Sequence, residues 1–146
     1  MAAARSALAL VLLACGALHG SPANSETTVV LACEGGLEAR DGIQLSTEYY
    51  KITPTTIQGW DGDKKAWDDN ICGRKGYSCL FDPGKYSAQG EYVSDRGQHV
   101  RHSLSFDRIT GKVEESWSSK FNDSMGFRGD CKPAADPALA TGPTKF

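Results

Sequence analysis

Between Val100 and Phe106 the chain alternates: Val100, His102, Leu104 and Phe106 fall on one side of an extended strand, Arg101, Ser103 and Ser105 on the other. The segment from Val113 to Phe121 repeats the pattern, with Val113, Glu115, Trp117, Ser119 and Phe121 opposite Glu114, Ser116, Ser118 and Lys120. A period of two is that of half-buried antiparallel strands. Asp107-Arg108-Ile109-Thr110-Gly111 joins them as a hairpin loop. In such a loop the Asp107 carboxylate accepts the free turn amides, and Gly111 takes the positive φ that closes a type I turn with a bulge.

Weaker strand signals surround this pair. Thr27 to Cys33 is a β-branched run that Gly35-Gly36 is expected to end. Thr47 to Ile57 is rich in Tyr, Ile and Thr, and Pro54 marks an edge, a bend or a break within it. Tyr86 to Val93 alternates weakly, and Met125 to Cys131 forms a last strand. The stretch from Asp63 to Asp69 alone reads as a helical turn, capped by Asp61 or Asp63. The pattern predicts an all-β fold, a small antiparallel sandwich or a partly open up-and-down barrel.

The N-terminus carries an address. Arg5 is the single charge before the apolar run from Ala7 to Ala14, and small residues and Pro22 follow. This is the layout of a secretory signal, too short to span a bilayer. Ser21-Pro22-Ala23 fits ordinary signal cleavage, so that residues 1–23 are the signal. Leu12-Leu13-Ala14-Cys15 is similar to a bacterial lipoprotein box, which would remove residues 1–14 and leave Cys15 lipidated. Residues 24–132 then form one β domain, and residues 133–146, rich in Pro, Ala, Thr and Gly, a disordered or extended tail. The product is expected to be secreted or periplasmic, or an outer-membrane lipoprotein whose only membrane contact is the lipid.

Export changes the reading of the cysteines. Without Cys15, four remain: Cys33, Cys72, Cys79 and Cys131. An even set in an exported chain of this size points to two disulfides, and the three connectivities open to four cysteines are not separable from sequence. Cys72 and Cys79 flank a Gly-containing loop that suits a local staple, which would leave Cys33 to close the domain with Cys131. No C-x-x-C pair is present to favour zinc. Charge excludes another class of partner. The chain carries 16 Lys and Arg against 18 Asp and Glu, with no basic run, so nucleic acid is not an expected ligand.

The early strand ending in Cys33, the Cys72 and Cys79 pair, "FDRITGKVEESW" and "FRGDCKP" together resemble a group of small exported bacterial β-domain proteins of unknown function. The shared features are the Asp-Arg-x-Thr-Gly hairpin and a final Gly-x-Cys, which imply fold and compartment and no active site. Gly84-Lys85-Tyr86-Ser87 also resembles a fragment of the periplasmic inhibitors of C-type lysozyme, small disulfide-bonded β-barrels.

Few residues carry obvious chemistry. His99 and His102 lie three apart and point to opposite faces of one strand, so no metal site is expected. Trp60, Asp61, Asp63 and Trp67 form a loop rich in oxygen donors and aromatic surface, a candidate binding platform for a protein or a glycan. As an EF-hand it fails, because Lys65 takes a ligand position and Cys72 replaces the closing Glu. Arg74 and Lys75, between Cys72 and Cys79, would arm a rigid loop able to plug a hydrolase cleft. Arg128-Gly129-Asp130 spells an integrin-recognition tripeptide inside an expected strand, and Asn122-Asp123-Ser124 is a glycosylation sequon. No Gly-x-Ser-x-Gly elbow is present, and Glu115 is the one carboxylate placed on an apolar face. The expected function is therefore an exported, non-catalytic binding module without cofactor, its partner a protein or glycan of the envelope or extracellular space. An inhibitor of a secreted hydrolase such as lysozyme and a weak hydrolase using Glu115 or His102 are the alternatives.

Overall fold

In the computed structural model, which describes residues 27–120 and 124–139, most of the chain is antiparallel β-strand. The strands are β1 (Val29–Ala39), β2 (Gly42–Ile52), β3 (Ile57–Asp61), β4 (Ala66–Trp67), β5 (Tyr77–Phe81), β6 (Lys85–Val93), β7 (His99–Asp107), β8 (Lys112–Ser119) and β9 (Met125–Pro133). They form one sheet in the order β4-β3-β2-β1-β9-β8-β7-β6-β5, curled into a half-barrel. Two meanders, β1–β4 and β5–β9, are thus joined where the first strand pairs with the last. Of the two architectures expected, the single, partly open sheet is the one formed.

The alternation in β7 and β8 survives intact. His102, Leu104, Phe106 and Val113 are buried, while Arg101, Ser103, Glu114 and Ser116 are exposed. Asp107 Oδ1 accepts the amides of Ile109 and Thr110, both at 2.9 Å, and Gly111 sits at φ 71°. These two bonds hold the Asp107 carboxyl below its ordinary range. Pro54 falls in the turn between β2 and β3, the break that a proline imposes.

Three local expectations are corrected. Gly35-Gly36 does not end β1, which runs on to Ala39. In the register Gly35 faces Gly129 of β9, and a Cβ on Gly35 would lie 2.0 Å from the Arg128 carbonyl oxygen. The glycine therefore marks a close approach of two backbones. Gly35→Ala is expected to destabilise the fold by about 3 kcal/mol, as overpacking against backbone has no soft side chain to displace. Urea titration of both variants checks this: Gly62→Ala, where a Cβ meets nothing within 4 Å, should stay within about 0.5 kcal/mol of wild type. The second correction is that β2 starts at Gly42, well before Thr47. The third is that Asp61–Ala66 is a hairpin turn linking β3 to β4. Its Asp61 Oδ1 accepts the Asp63 and Lys64 amides, but the chain returns as a strand instead of a helix.

Edge strands β4 and β5 are bridged by the chain itself. Within this link Ile71–Gly73 makes a 3₁₀ turn, Ile71 is buried, and Asn70 Oδ1 accepts the amides of Cys72 and Ile57. Disulfides join Cys72 to Cys79 and Cys33 to Cys131, the latter directly across the β1–β9 pair. The outer face carries cross-strand ion pairs, Lys132–Glu34, Arg128–Glu38 and Lys112–Asp130. The Arg128-Gly129-Asp130 tripeptide belongs to this ladder, each charge already facing an opposite one. Beyond β9, Ala134 N donates to Val30 O, and Asp136 pairs with Lys51 at 2.7 Å.

Candidate binding cavity

Inward-facing residues two apart on each strand build layers across the half-barrel. Ile52 of β2, Leu104 and Phe106 of β7 and Val113 of β8 belong to the apolar core, which also holds Cys33, Ile57 and Ala88. One step along the same strands stand Tyr50, His102 and Glu115. One step further come Glu48, Val100 and Trp117, and there the interior opens into a cavity of about 540 Å³. A greasy plug, a polar layer and an open cavity thus follow one another along the barrel.

The polar layer is closed by short hydrogen bonds. Tyr50 Oη donates to Glu115 Oε2 at 2.6 Å, and His102 Nε2 lies 2.7 Å from Glu115 Oε1. Tyr77 Oη is 3.0 Å from His102 Nδ1. The side chains of His102 and Glu115 are only 6% and 10% exposed. His102 thus bridges the Tyr77 hydroxyl and the Glu115 carboxylate through its two ring nitrogens. Burial, reinforced by the Glu115 charge, pushes the Tyr50 hydroxyl far above the ordinary phenol range. Burial also raises that of Tyr77, against the pull of Arg74. Both phenols stay protonated, and the Tyr50 hydroxyl and His102 Nε2 each meet one oxygen of the Glu115 carboxylate. Trp117 covers the layer by stacking on His102, with centroids 5.3 Å apart and planes 2° from parallel.

The cavity is walled by Leu37, Tyr92, Val100, Trp117, Met125 and Phe127, with Tyr50 and Glu115 at its floor. Glu48, Gly59, Trp60 and Asp68 line it from β2, β3 and the chain just after β4. A smaller cavity of about 160 Å³ shares Tyr50, Tyr92, Glu115 and Trp117 and reaches Arg74, Tyr77 and His102.

Two of the six binding candidates read from the sequence reach these cavities, Trp60 the larger and Arg74 the smaller. Trp67 does not. Its indole meets Trp60 edge-on at 5.2 Å, donates from Nε1 to Asp136, and carries Lys51 Nζ 4.5 Å above its ring. The pair therefore makes no flat platform. Asp61 caps its own turn and pairs with Lys64, whose hydrogen bonds lower the Asp61 carboxyl below its ordinary range. Asp63 and Lys75 are exposed. His99 is exposed, away from buried His102. Among the described residues no three His, Cys, Asp or Glu side chains gather as a metal-ligand set. Cys15 and Asn122 lie outside the described residues.

Sequence reasoning singled out Glu115 and His102 by their place on apolar faces, but missed the tyrosines that complete the layer. Tyr50 lies 65 residues from Glu115 and Tyr77 lies 25 from His102, and no local pattern links them. Compared with protein-family models, curated proteins and solved structures, the chain has no match.

Proposed function

We propose that this chain is an exported, non-catalytic binding module whose ligand occupies the open cavity of the half-barrel. The observation that carries the reading is the cavity itself, apolar-walled and seated on a layer whose polar atoms are already paired. Binding sites of this kind combine a largely apolar wall with a few placed polar groups. Its volume suits a small molecule, or one group protruding from a glycan or protein. Both Glu115 oxygens and both His102 nitrogens are engaged with protein partners, which favours a rigid floor over a reactive pair. Export is supported by the two disulfides and by the signal-like N-terminus.

The neutral dye N-phenylnaphthylamine probes the cavity. Its emission should rise to saturation with one molecule bound per chain. Val100→Trp, which fills the cavity from β7, should weaken that binding at least about tenfold while leaving the β circular dichroism unchanged. A dye that fails to bind, or that binds the filled variant equally well, overturns the reading.

A further inference from the structure

We infer that the cavity is the inner half of a strand-addition site. Its occupant is an extended peptide segment of another protein, hydrogen-bonded to the bare edge of β2 with one aromatic side chain in the cavity. The inference rests on the binding reading above and names the class of ligand.

β2 is longer than its partner on the outer side. β1 pairs with it from Gly42 to Ile52, whereas β3 pairs only with Tyr50, Lys51 and Ile52. After Gly59 the third strand leaves β2 and pairs through Trp60 and Asp61 with β4. Among the described residues nothing pairs with the outer edge of residues 42–49. Such an edge presents a row of amides and carbonyls to an incoming strand, and proteins commonly blunt it with Lys, Pro or a bulge. Residues 42–49 contain neither Lys nor Pro, and their register with β1 is unbroken.

The cavity meets this edge. Consecutive strand residues point to opposite faces, yet Glu48, Tyr49 and Tyr50 all line the cavity, as do Gly59 and Trp60. A space touched by both faces of β2 reaches around its edge, into the slot that β3 leaves. A strand added there, antiparallel like every other pair in the sheet, continues the line of β3. Its residue opposite Glu48 lies on the inner face, among Trp117 and Phe127. Its residues opposite Leu45 and Ile43 fall on the outer face, where those two side chains stand exposed. The fitting pattern is therefore aromatic-x-x-aliphatic-x-aliphatic. Glu48 is the single charge on the edge and Asp68 lines the cavity beyond it, so a neutral or basic strand is favoured over an acidic one. Main-chain bonds along the edge would give affinity, and the cavity would select the side chain.

The probe is the capped peptide acetyl-Lys-Phe-Thr-Ser-Val-Thr-Val-Lys-amide. It should displace N-phenylnaphthylamine from the protein, and Phe→Ala in the peptide or Val100→Trp in the protein should each weaken it about tenfold. Leu45→Ser, on the outer face, should cost it several-fold and leave dye binding unchanged. N-methylation of every second peptide residue should abolish binding in one phase and spare it in the other, because only alternate amides of an added strand face its neighbour. Hydrogen exchange should slow at amides within residues 42–49 and not along β5, at the opposite end of the sheet. If the dye binds but the peptide neither displaces it nor slows exchange, the binding reading stands and strand addition is overturned. Equal effects of the two methylation phases also overturn it, since side chains alone would then carry the contact. Sedimentation as a dimer with the same amides already protected would give the edge to a second copy of this chain and overturn the peptide. If neither dye nor peptide binds, both readings fall.

Discussion

Replacing Cys33 and Cys131 together by alanine is expected to lower the stability of the fold by about 4–5 kcal/mol. The bridge spans a sequence separation of 98, nearly all of the domain, so its loss releases the largest loop available to the unfolded chain. It also sits at the one strand pairing that joins the two meanders, and Cys33 is fully buried beneath it. The Cys72–Cys79 bridge, at a separation of 7, should be worth only about 2 kcal/mol on the same chain-entropy argument. Urea titrations of the two double-alanine variants against wild type measure the contrast. A larger loss from opening Cys72–Cys79 would refute the assignment of β1–β9 as the closing seam.

The same seam shows what could be read from the chain and what could not. β7 and β8 were legible because their buried and exposed positions alternate within eight or nine residues, and Asp107 and Gly111 mark the turn between them. The count of bridges followed from the signal-like N-terminus and the even number of cysteines beyond it. By contrast, Gly35 reads locally as a terminator, and its meaning is written in Gly129, whose own Cβ would lie 2.7 Å from the Glu34 carbonyl oxygen. The start of β2 is hidden for a different reason. Ile43 and Leu45 are 72% and 87% exposed, so this arm has no buried apolar face from which to recognise it. Of the site, the half carried by β7 and β8 was visible as His102 and Glu115 on apolar faces. The half carried by β2 and β5 was not, because a tyrosine hydroxyl gives no periodic signal and its partner is chosen by the curl of the sheet.

That division matters for energetics, because the part invisible to the sequence is the part that makes Glu115 tolerable. Glu115→Leu, which keeps the bulk but offers no acceptor, is expected to cost about 3–5 kcal/mol. The Tyr50 hydroxyl and His102 Nε2 would both lose their partner inside the barrel, and burial keeps Tyr50 protonated, so it cannot escape by ionising. Glu115→Gln should cost only about 1–2 kcal/mol, since the amide oxygen still receives one donor and only the other faces an amide N–H. Adding Tyr50→Phe to Glu115→Gln removes that second donor, and the pair should be less destabilising than the sum of its parts by about 1 kcal/mol or more. Urea titrations at constant m-value of wild type, the three single variants including Tyr50→Phe, and the double variant give these values. If Glu115→Leu proved no worse than Glu115→Gln, the polar layer would be dispensable to the fold, and the carboxylate would have to be explained by its ligand alone. If the expected order holds, the layer does two things at once. It holds the apolar plug and the cavity in register, and it gives the cavity a floor whose polar atoms are already partnered within the protein.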